Sequence, residues 1–265
     1  MENSMNIDDS LMIFKFGEYR WIKSWVDGNL SFSCAGNYIN QARCSKNVVQ
    51  GDEREAVFAR LPQDDFRICE FKAKLGHDLE IIPDGDYVLL RRNSAKYKPI
   101  FCFYNLKVKD VLALDINESN TITENKHEFD NRVFSGFSES MNCKNVIRDD
   151  RQPTFIGLKV YAFMKNVLCY LLNENYAIDC HSINYDHFRN ETFIIEPDEH
   201  YNELFYKFPS YAYQHEGRIM LKNFEFHYYN ERKNILFPRF DSGDYGIAHE
   251  PFTFSVVVNR MFKKI

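Results

Sequence analysis

The first 34 residues of the chain predict a strand, a short helix and a second strand in immediate succession. Leu11 to Phe16 is an apolar run interrupted by one lysine, and Glu18 to Asp27 carries apolar residues at helical spacing. Gly17 is expected to end the first strand, and Gly28 stands where a glycine commonly ends a helix. Asn29 to Cys34 then alternates apolar and polar residues, which predicts a second strand.

The second strand is expected to have one polar face. Successive side chains of a strand point to opposite sides. Ser31 and Ser33 therefore share one face, and Leu30 and Phe32 share the other.

A second informative segment is Gln214-His215-Glu216. It follows an aromatic, proline-containing loop and precedes Arg218 to Leu221, a short apolar stretch that predicts a strand. Because side chains two apart on a strand point the same way, Gln214 and Glu216 are expected to share one face. A carboxylate and an amide that converge on one spot can stabilise a cationic sugar centre and hold an incoming acceptor.

Together these two segments resemble the nicotinamide-binding core of the ADP-ribosyltransferase superfamily. In that superfamily the first strand carries a basic residue that contacts NAD, and the second carries a Ser-Thr-Ser-like element. A late strand carries Glu or Gln, one further residue, and the catalytic Glu. The resemblance covers roughly residues 11–45 and 205–225. It implies an α+β fold, with an ADP-ribosyltransferase-like mixed sheet and few helices in a single domain.

The resemblance implies an NAD site near the N-terminus. Ser31 and Ser33 match the serine element, with Phe32 in place of its small central residue. The basic position of the first strand is Lys15 rather than Arg or His, unless Arg20 fills this role from the start of the helix. Tyr38 could stack on the nicotinamide ring, since the family often carries an aromatic residue shortly after the second strand. The alternative for Tyr38 is ordinary packing.

The resemblance also implies the catalytic and acceptor residues. Glu216 would accept a hydrogen bond from the ribose 2′-hydroxyl and stabilise the oxocarbenium-like centre. Gln214 would orient the acceptor, and Gln at this position is typical of members that modify amide or thiol side chains or nucleobases rather than arginine. Tyr211 and Tyr213 could stack on an acceptor base or simply pack the loop.

Composition limits the partners. The chain has 265 residues, of which 45% are hydrophobic and 16% aromatic, so it is expected to be folded. Its net charge of −5 argues against duplex binding through bulk charge. A single-stranded acceptor, RNA rather than DNA, needs only a short basic track and stacking. Basic clusters that could supply phosphate contacts occur at Arg91-Arg92 with Lys96 and Lys98, at Arg232-Lys233, and near the C-terminus.

The seven cysteines and the absence of a signal segment predict a cytoplasmic protein. The cysteines are odd in number and scattered, and no Cys-x-x-Cys occurs. No apolar run approaches transmembrane length, and no metal cofactor is expected. The resemblance extends to bacterial toxin and phage-defence transferases, and it implies a toxin or antiviral defence effector that consumes NAD, with a protein antitoxin as a further partner.

The chain is expected to form one domain over residues 1–265, with residues 1–10 as a polar tail. Gly157 to Asn173 has the broadest apolar helical face and predicts the best helix. Phe66 to Lys72 is predicted to be a strand, within a β-rich block.

Two other functions are compatible with the sequence. The carboxylates of Gly51 to Glu55 could serve a Mg²⁺-dependent nuclease, although a solvated turn is the simpler interpretation. A non-catalytic interaction protein could also retain a transferase-like scaffold. In that case Glu216 would merely pair with Arg218 or another surface cation on an exposed strand.

Overall fold

The computed structural model describes residues 4–6, 9–45, 52–111, 123–128, 153–248 and 253–258. These residues form a mixed α/β structure with mainly antiparallel sheets and few helices, which confirms the predicted class at this level. None of its helices is long and apolar enough to cross a membrane.

The largest sheet has nine strands and carries the candidate site. Seven of them follow the order β1-β10-β12-β7-β2-β9-β14, and β3 joins at β7 and pairs in turn with β13. Their bounds are β1 Ser4–Asn6, β2 Ser10–Glu18, β3 Asn29–Cys34, β7 Pro99–Lys107, β9 Pro153–Lys159, β10 Ile178–Ser182, β12 Glu216–Leu221, β13 Lys233–Leu236 and β14 Tyr245–Ala248. β1 pairs in parallel with β10, so residues 4–6 of the predicted tail belong to the sheet.

The sheet forks at β7. One edge of β7 pairs with β12 along residues 100–104. On the other edge, β2 pairs with Tyr104 to Lys107, whereas β3 pairs with Pro99 and Ile100. The three residues between these pairings are Phe101, Cys102 and Phe103. Neither β2 nor β3 pairs with them, and all three line one large cavity.

The predicted strand-helix-strand segment is confirmed. β2 extends through Gly17 to Glu18, so Gly17 does not end the strand. Helix α1, Tyr19–Val26, buries Ile22 and Trp25, and the chain turns at Gly28 with φ 89°. A Cβ at Gly28 would lie 2.2 Å from the Phe237 carbonyl oxygen, so only glycine fits there.

A second sheet has four strands, and its buried side chains form a separate hydrophobic core. Its order is β11-β4-β6-β5, with β4 Val57–Pro62, β5 Leu79–Asp84, β6 Tyr87–Arg92 and β11 Phe193–Ile194. Two further strands, β8 Thr123–Glu128 and β15 Thr253–Val258, form an antiparallel pair.

The other helices correct two sequence predictions. Phe66 to Lys72 is not a strand, because helix α3 spans Arg67–Leu75 and buries Ile68 and Phe71, three residues apart. The segment predicted as a helix from Gly157 begins as strand β9 and becomes helical only at Val160. There α5, Val160–Phe163, continues through a π-helical turn, Met164–Leu168, into α6, Cys169–Asn173. Two further helices among the described residues are α2, Ala35–Ser45, and α4, Val108–Val111.

Candidate functional site

A cavity of about 750 Å³ opens at the fork of the large sheet. Its walls come from β2, α1, β3, α2, β7 and the segment that leads into β12. Its lining includes the sequence-predicted residues Lys15, Ser31, Ser33, Tyr38, Tyr213, Gln214 and Glu216. Residues that are far apart in the sequence therefore meet in one place.

Two predicted residues lie elsewhere. Arg20 does not line the cavity. It is exposed, pairs with Glu18 at 2.6 Å and lies over the ring of Trp21. Tyr211 is also absent from the cavity wall, and burial, followed by the nearby charge of Asp52, raises the pKa of its hydroxyl. Among the basic candidates for the cavity, Lys15 is therefore favoured over Arg20.

Glu216 begins β12 in the interior of the sheet. Its backbone pairs with Tyr104 of β7, and its backbone N–H donates to the Tyr185 hydroxyl at 3.0 Å. All six residues of β12 are buried. Gly217 allows this close packing, since a Cβ there would lie 2.4 Å from the ring of Phe103. The alternative of an exposed strand is wrong.

The carboxylate of Glu216 is held by two buried cations. Lys207 Nζ donates to Oε2 at 2.7 Å, and Arg218 Nε donates to Oε1 at 2.5 Å. Burial alone would raise the pKa of Glu216, but the charges of Arg218 and Lys207 outweigh burial and hold the pKa well below its ordinary value. Glu216 is therefore ionised at neutral pH, although it is almost entirely buried.

Glu55 completes a buried ionic cluster. Its Oε1 pairs with Arg218 Nη1 at 2.6 Å, and its Oε2 lies 3.5 Å from Lys207 Nζ. Burial would lower the pKa of Lys207, but the charges of Glu216 and Glu55 raise it well above its usual value. Two carboxylates thus balance two cations. No sequence motif predicts that Glu55, Lys207 or Arg218 belongs to the site.

Gln214 contacts the same cluster, but not by sharing a strand face with Glu216 as the sequence predicts. It ends a 3-10 helix, Pro209–Gln214, and His215 has a left-handed backbone with φ 40°. Gln214 and Glu216 therefore do not share one strand face. Lys207 joins them instead, because its Nζ donates to Gln214 Oε1 at 3.0 Å and to Glu216.

Cys102 links Glu216 to Tyr38. Cys102 lies close to both side chains, since its thiol influences the pKa of the Glu216 carboxylate and that of the Tyr38 hydroxyl. Burial, followed by the charge of Glu216, raises the pKa of Cys102 to about 12, so the thiol keeps its proton. Tyr38 is thereby connected to the carboxylate through a side chain that sequence reasoning had not singled out.

Lys15 is the cation on the β2 side of the cavity. Its Nζ donates to the Cys102 carbonyl oxygen and lies 4.7 Å from the centre of the Phe101 ring. Burial lowers the pKa of Lys15, and the nearby charge of Glu216 opposes that effect. Arg232 also lines the cavity, so two basic residues border it outside the ionic cluster.

Several wall residues carry polar atoms that are buried and have no hydrogen-bond partner in the described part of the chain. They are Trp25 Nε1, Asn29 Oδ1, Ser33 Oγ, Asn37 Nδ2 and Arg218 Nη2. Buried polar atoms are normally paired in folded proteins. Their concentration around one cavity indicates a site for a polar ligand.

Gly51 lies outside the described residues, and the turn that follows it is only partly solvated, with Glu53 and Arg54 exposed. Asp52 and Glu55 are both buried, and Glu55 is neutralised by Arg218 and Lys207 rather than left available to a cation. In the described ranges, no group of three or more His, Cys, Asp or Glu side chains could hold a metal ion.

Asp52 gives the protein a specific pH dependence. Burial, and then the charge of Glu55, raise its pKa to about 6, from 3.8 in a free chain. A carboxyl whose pKa is higher in the folded state stabilises that state when protonated. This contribution is fully present below the unfolded pKa and is lost as the pH rises through about 6. We expect Asp52→Asn to remove this loss and to be more stable than wild type at pH 7 by up to about 3 kcal/mol.

Urea unfolding at pH 5, 6 and 7 tests this expectation. The stability difference between Asp52→Asn and wild type should grow with pH. Asp241→Asn, which changes an exposed carboxyl, should show no such trend. A difference between Asp52→Asn and wild type that stays constant from pH 5 to pH 7 would contradict the assignment.

Comparison with protein-family models, curated proteins and solved structures found no match. No family is shown for this chain.

Proposed function

We propose that the protein is an NAD-dependent ADP-ribosyltransferase that acts at the cavity containing Glu216. One observation carries the proposal. The basic residue of the first strand, the serines of the second strand and the late glutamate line one cavity, although they are far apart in sequence. The volume of about 750 Å³ is in the range usual for small-molecule sites.

Glu216 would act on the nicotinamide ribose. An ionised carboxylate can accept a hydrogen bond from the 2′-hydroxyl and stabilise positive charge as the bond to nicotinamide breaks. Lys207 and Arg218 each occupy one oxygen of Glu216, but a carboxylate has about four acceptor positions. In this mechanism the two cations keep Glu216 charged and fix its orientation.

The remaining wall fits the rest of NAD. Lys15 and Arg232 would face the pyrophosphate as positive charges, and the unpartnered polar atom of Ser33 would bond to a ribose or amide group. Tyr38 would stack on the nicotinamide ring. Trp21, which also lines the cavity and is exposed, could receive another ring.

For the acceptor, we propose a nucleobase in single-stranded nucleic acid, with RNA preferred over DNA. Gln214 at the acceptor position argues against arginine. Tyr213 lines the cavity and could stack on a base. A protein side chain other than arginine is the remaining acceptor class. The biological role that accompanies this chemistry is a cytoplasmic toxin or defence effector, restrained by an antitoxin.

Labelled NAD identifies both the reaction and the acceptor. We expect incubation of the protein with adenine-labelled NAD and a cell lysate to transfer label to single-stranded nucleic acid, with little on duplex DNA. The reaction should continue in EDTA, since NAD transfer at this site invokes no divalent metal. Nuclease treatment should release the label.

The outcomes separate the alternatives. Label that survives nuclease and stays with protein bands would reject the nucleic-acid acceptor and keep the transferase. Cleavage of nucleic acid that requires a divalent metal, without NAD consumption, would favour the nuclease. Absence of both activities would leave the interaction protein.

A further inference from the structure

A second, smaller cavity lies beside α2. It has a volume of about 50 Å³ and is lined by Gly36, Ile39, Asn40, Arg43, Arg91, Lys96 and Tyr229. Tyr38 and Gln41 of the same helix line the large cavity instead. Helix α2 therefore contributes to two separate sites, and none of the small cavity's lining residues belongs to the large one.

The small cavity has an excess of positive charge. Arg91 and Lys96 share one oxygen of Glu80, at 3.3 and 3.0 Å. Arg43 is the third cation. Its charge lowers the pKa of both Arg91 and Glu80, so it lies near both side chains. Three cations thus line the small cavity. Glu80 contacts two of them directly, and the charges of Glu55 and Asp52 also act on Arg91.

The buried member of this group has unused donor capacity. Arg91 is fully buried, with Nη1 on Glu80 and Nη2 on the Glu53 carbonyl oxygen. Its Nε has no partner among the described residues. Lys96 uses one of its three N–H groups on Glu80. An unpaired donor on a buried guanidinium is costly unless a ligand or water satisfies it.

We propose that this cavity is a phosphate-binding site, separate from the NAD cavity. The volume fits one tetrahedral oxyanion and excludes a nucleobase. Arginine and lysine together supply the directional and the point-charge contacts that phosphate recognition uses. The phosphate belongs either to a free or terminal monoester or to the backbone of a polynucleotide. The site is consistent with the basic cluster around Arg91 and Lys96 in the sequence, although Arg92 is taken up by Glu203.

Calorimetric titration with inorganic phosphate, without NAD and at constant ionic strength, tests the site. We expect saturable binding that Arg43→Ala weakens about tenfold or more, because each charge-assisted bond is strong. Arg43 is exposed, so its removal leaves the fold intact. Arg189→Ala is the matched control, since it removes an equally exposed arginine that pairs only locally with Asp186. Lys96→Met is the second variant.

Two oligonucleotides distinguish the sources of phosphate. A single-stranded oligomer with a 5′-phosphate that binds more tightly than its unphosphorylated form, in an Arg43-dependent manner, assigns the site to monoesters. Equal Arg43-dependent binding of both forms assigns it to backbone phosphate. If Arg43→Ala and Lys96→Met bind phosphate and both oligomers as Arg189→Ala does, the proposal is overturned. NAD consumption is measured separately, so failure here leaves the proposed transferase untouched.

Discussion

Glu216→Gln is expected to lower the rate of NAD-dependent transfer by 10²–10³-fold. The change keeps the size and one of the two acceptor oxygens but removes the charge that would stabilise the oxocarbenium-like centre. The substitution also removes one of the two carboxylates that balance Lys207 and Arg218. We therefore expect a measurable loss of stability as well, whereas the sequence alone predicts little change.

The two effects can be measured apart. Transfer rates are compared at a temperature where circular dichroism shows wild type and variant to be equally folded. Glu196→Gln provides the matched control, because it makes the same substitution at an exposed carboxylate that lies 3.7 Å from Lys74. Transfer by folded Glu216→Gln at more than half the wild-type rate would reject Glu216 as the catalytic residue.

Local patterns in the sequence were sufficient to predict part of the candidate site. The order of β2, α1 and β3 follows from apolar periodicity and from Gly28, and the shared face of Ser31 and Ser33 follows from strand alternation. These features depend only on neighbouring residues. The strand predicted over Arg218 to Leu221, which begins at Glu216 in the structure, was predictable for the same reason.

The ionic cluster around Glu216 was not predictable in the same way. Glu55 and Arg218 are 163 residues apart, and they meet only because the segment before β4 packs against β12. Buried ion pairs of this kind leave no local pattern. Arg218 was the one visible clue, since it is two residues from Glu216 on a strand and therefore shares its face. The sequence interpretation of that pair as a surface contact was wrong, because β12 is entirely buried.

The errors in the predicted secondary structure also arise from contacts between residues that are distant in the sequence. Phe66 to Lys72 contains β-favouring residues, but Ile68 and Phe71 are spaced for one face of a helix, and packing against the second sheet decides in favour of α3. Gly157 lies within β9, where the strand packs closely against the Phe14 ring. A Cβ added at Gly157 would lie only 2.8 Å from that ring, so the absence of a side chain permits this packing. Tertiary contacts override the helical pattern there.

Arg218→Met is expected to destabilise the protein by about 3–5 kcal/mol at pH 7, because it leaves two buried carboxylates without their shared cation. Adding Glu55→Gln should restore part of the stability, since only one buried charge then needs a partner and Lys207 remains. Arg189→Met, on the surface, should change the stability by less than about 0.5 kcal/mol.

The pH dependence of the Arg218→Met effect provides a check on its cause. In wild type the pKa of Glu216 is depressed, so its contribution to stability is present above the unfolded pKa and is lost as the pH falls. Arg218 supplies part of that depression. The difference between wild type and Arg218→Met should therefore be largest at pH 7 and shrink towards pH 4, where the unpaired carboxylates can take up protons. Equal destabilisation at both pH values would attribute the effect to lost packing of the arginine side chain, and the ionic cluster would then not be what keeps Glu216 charged.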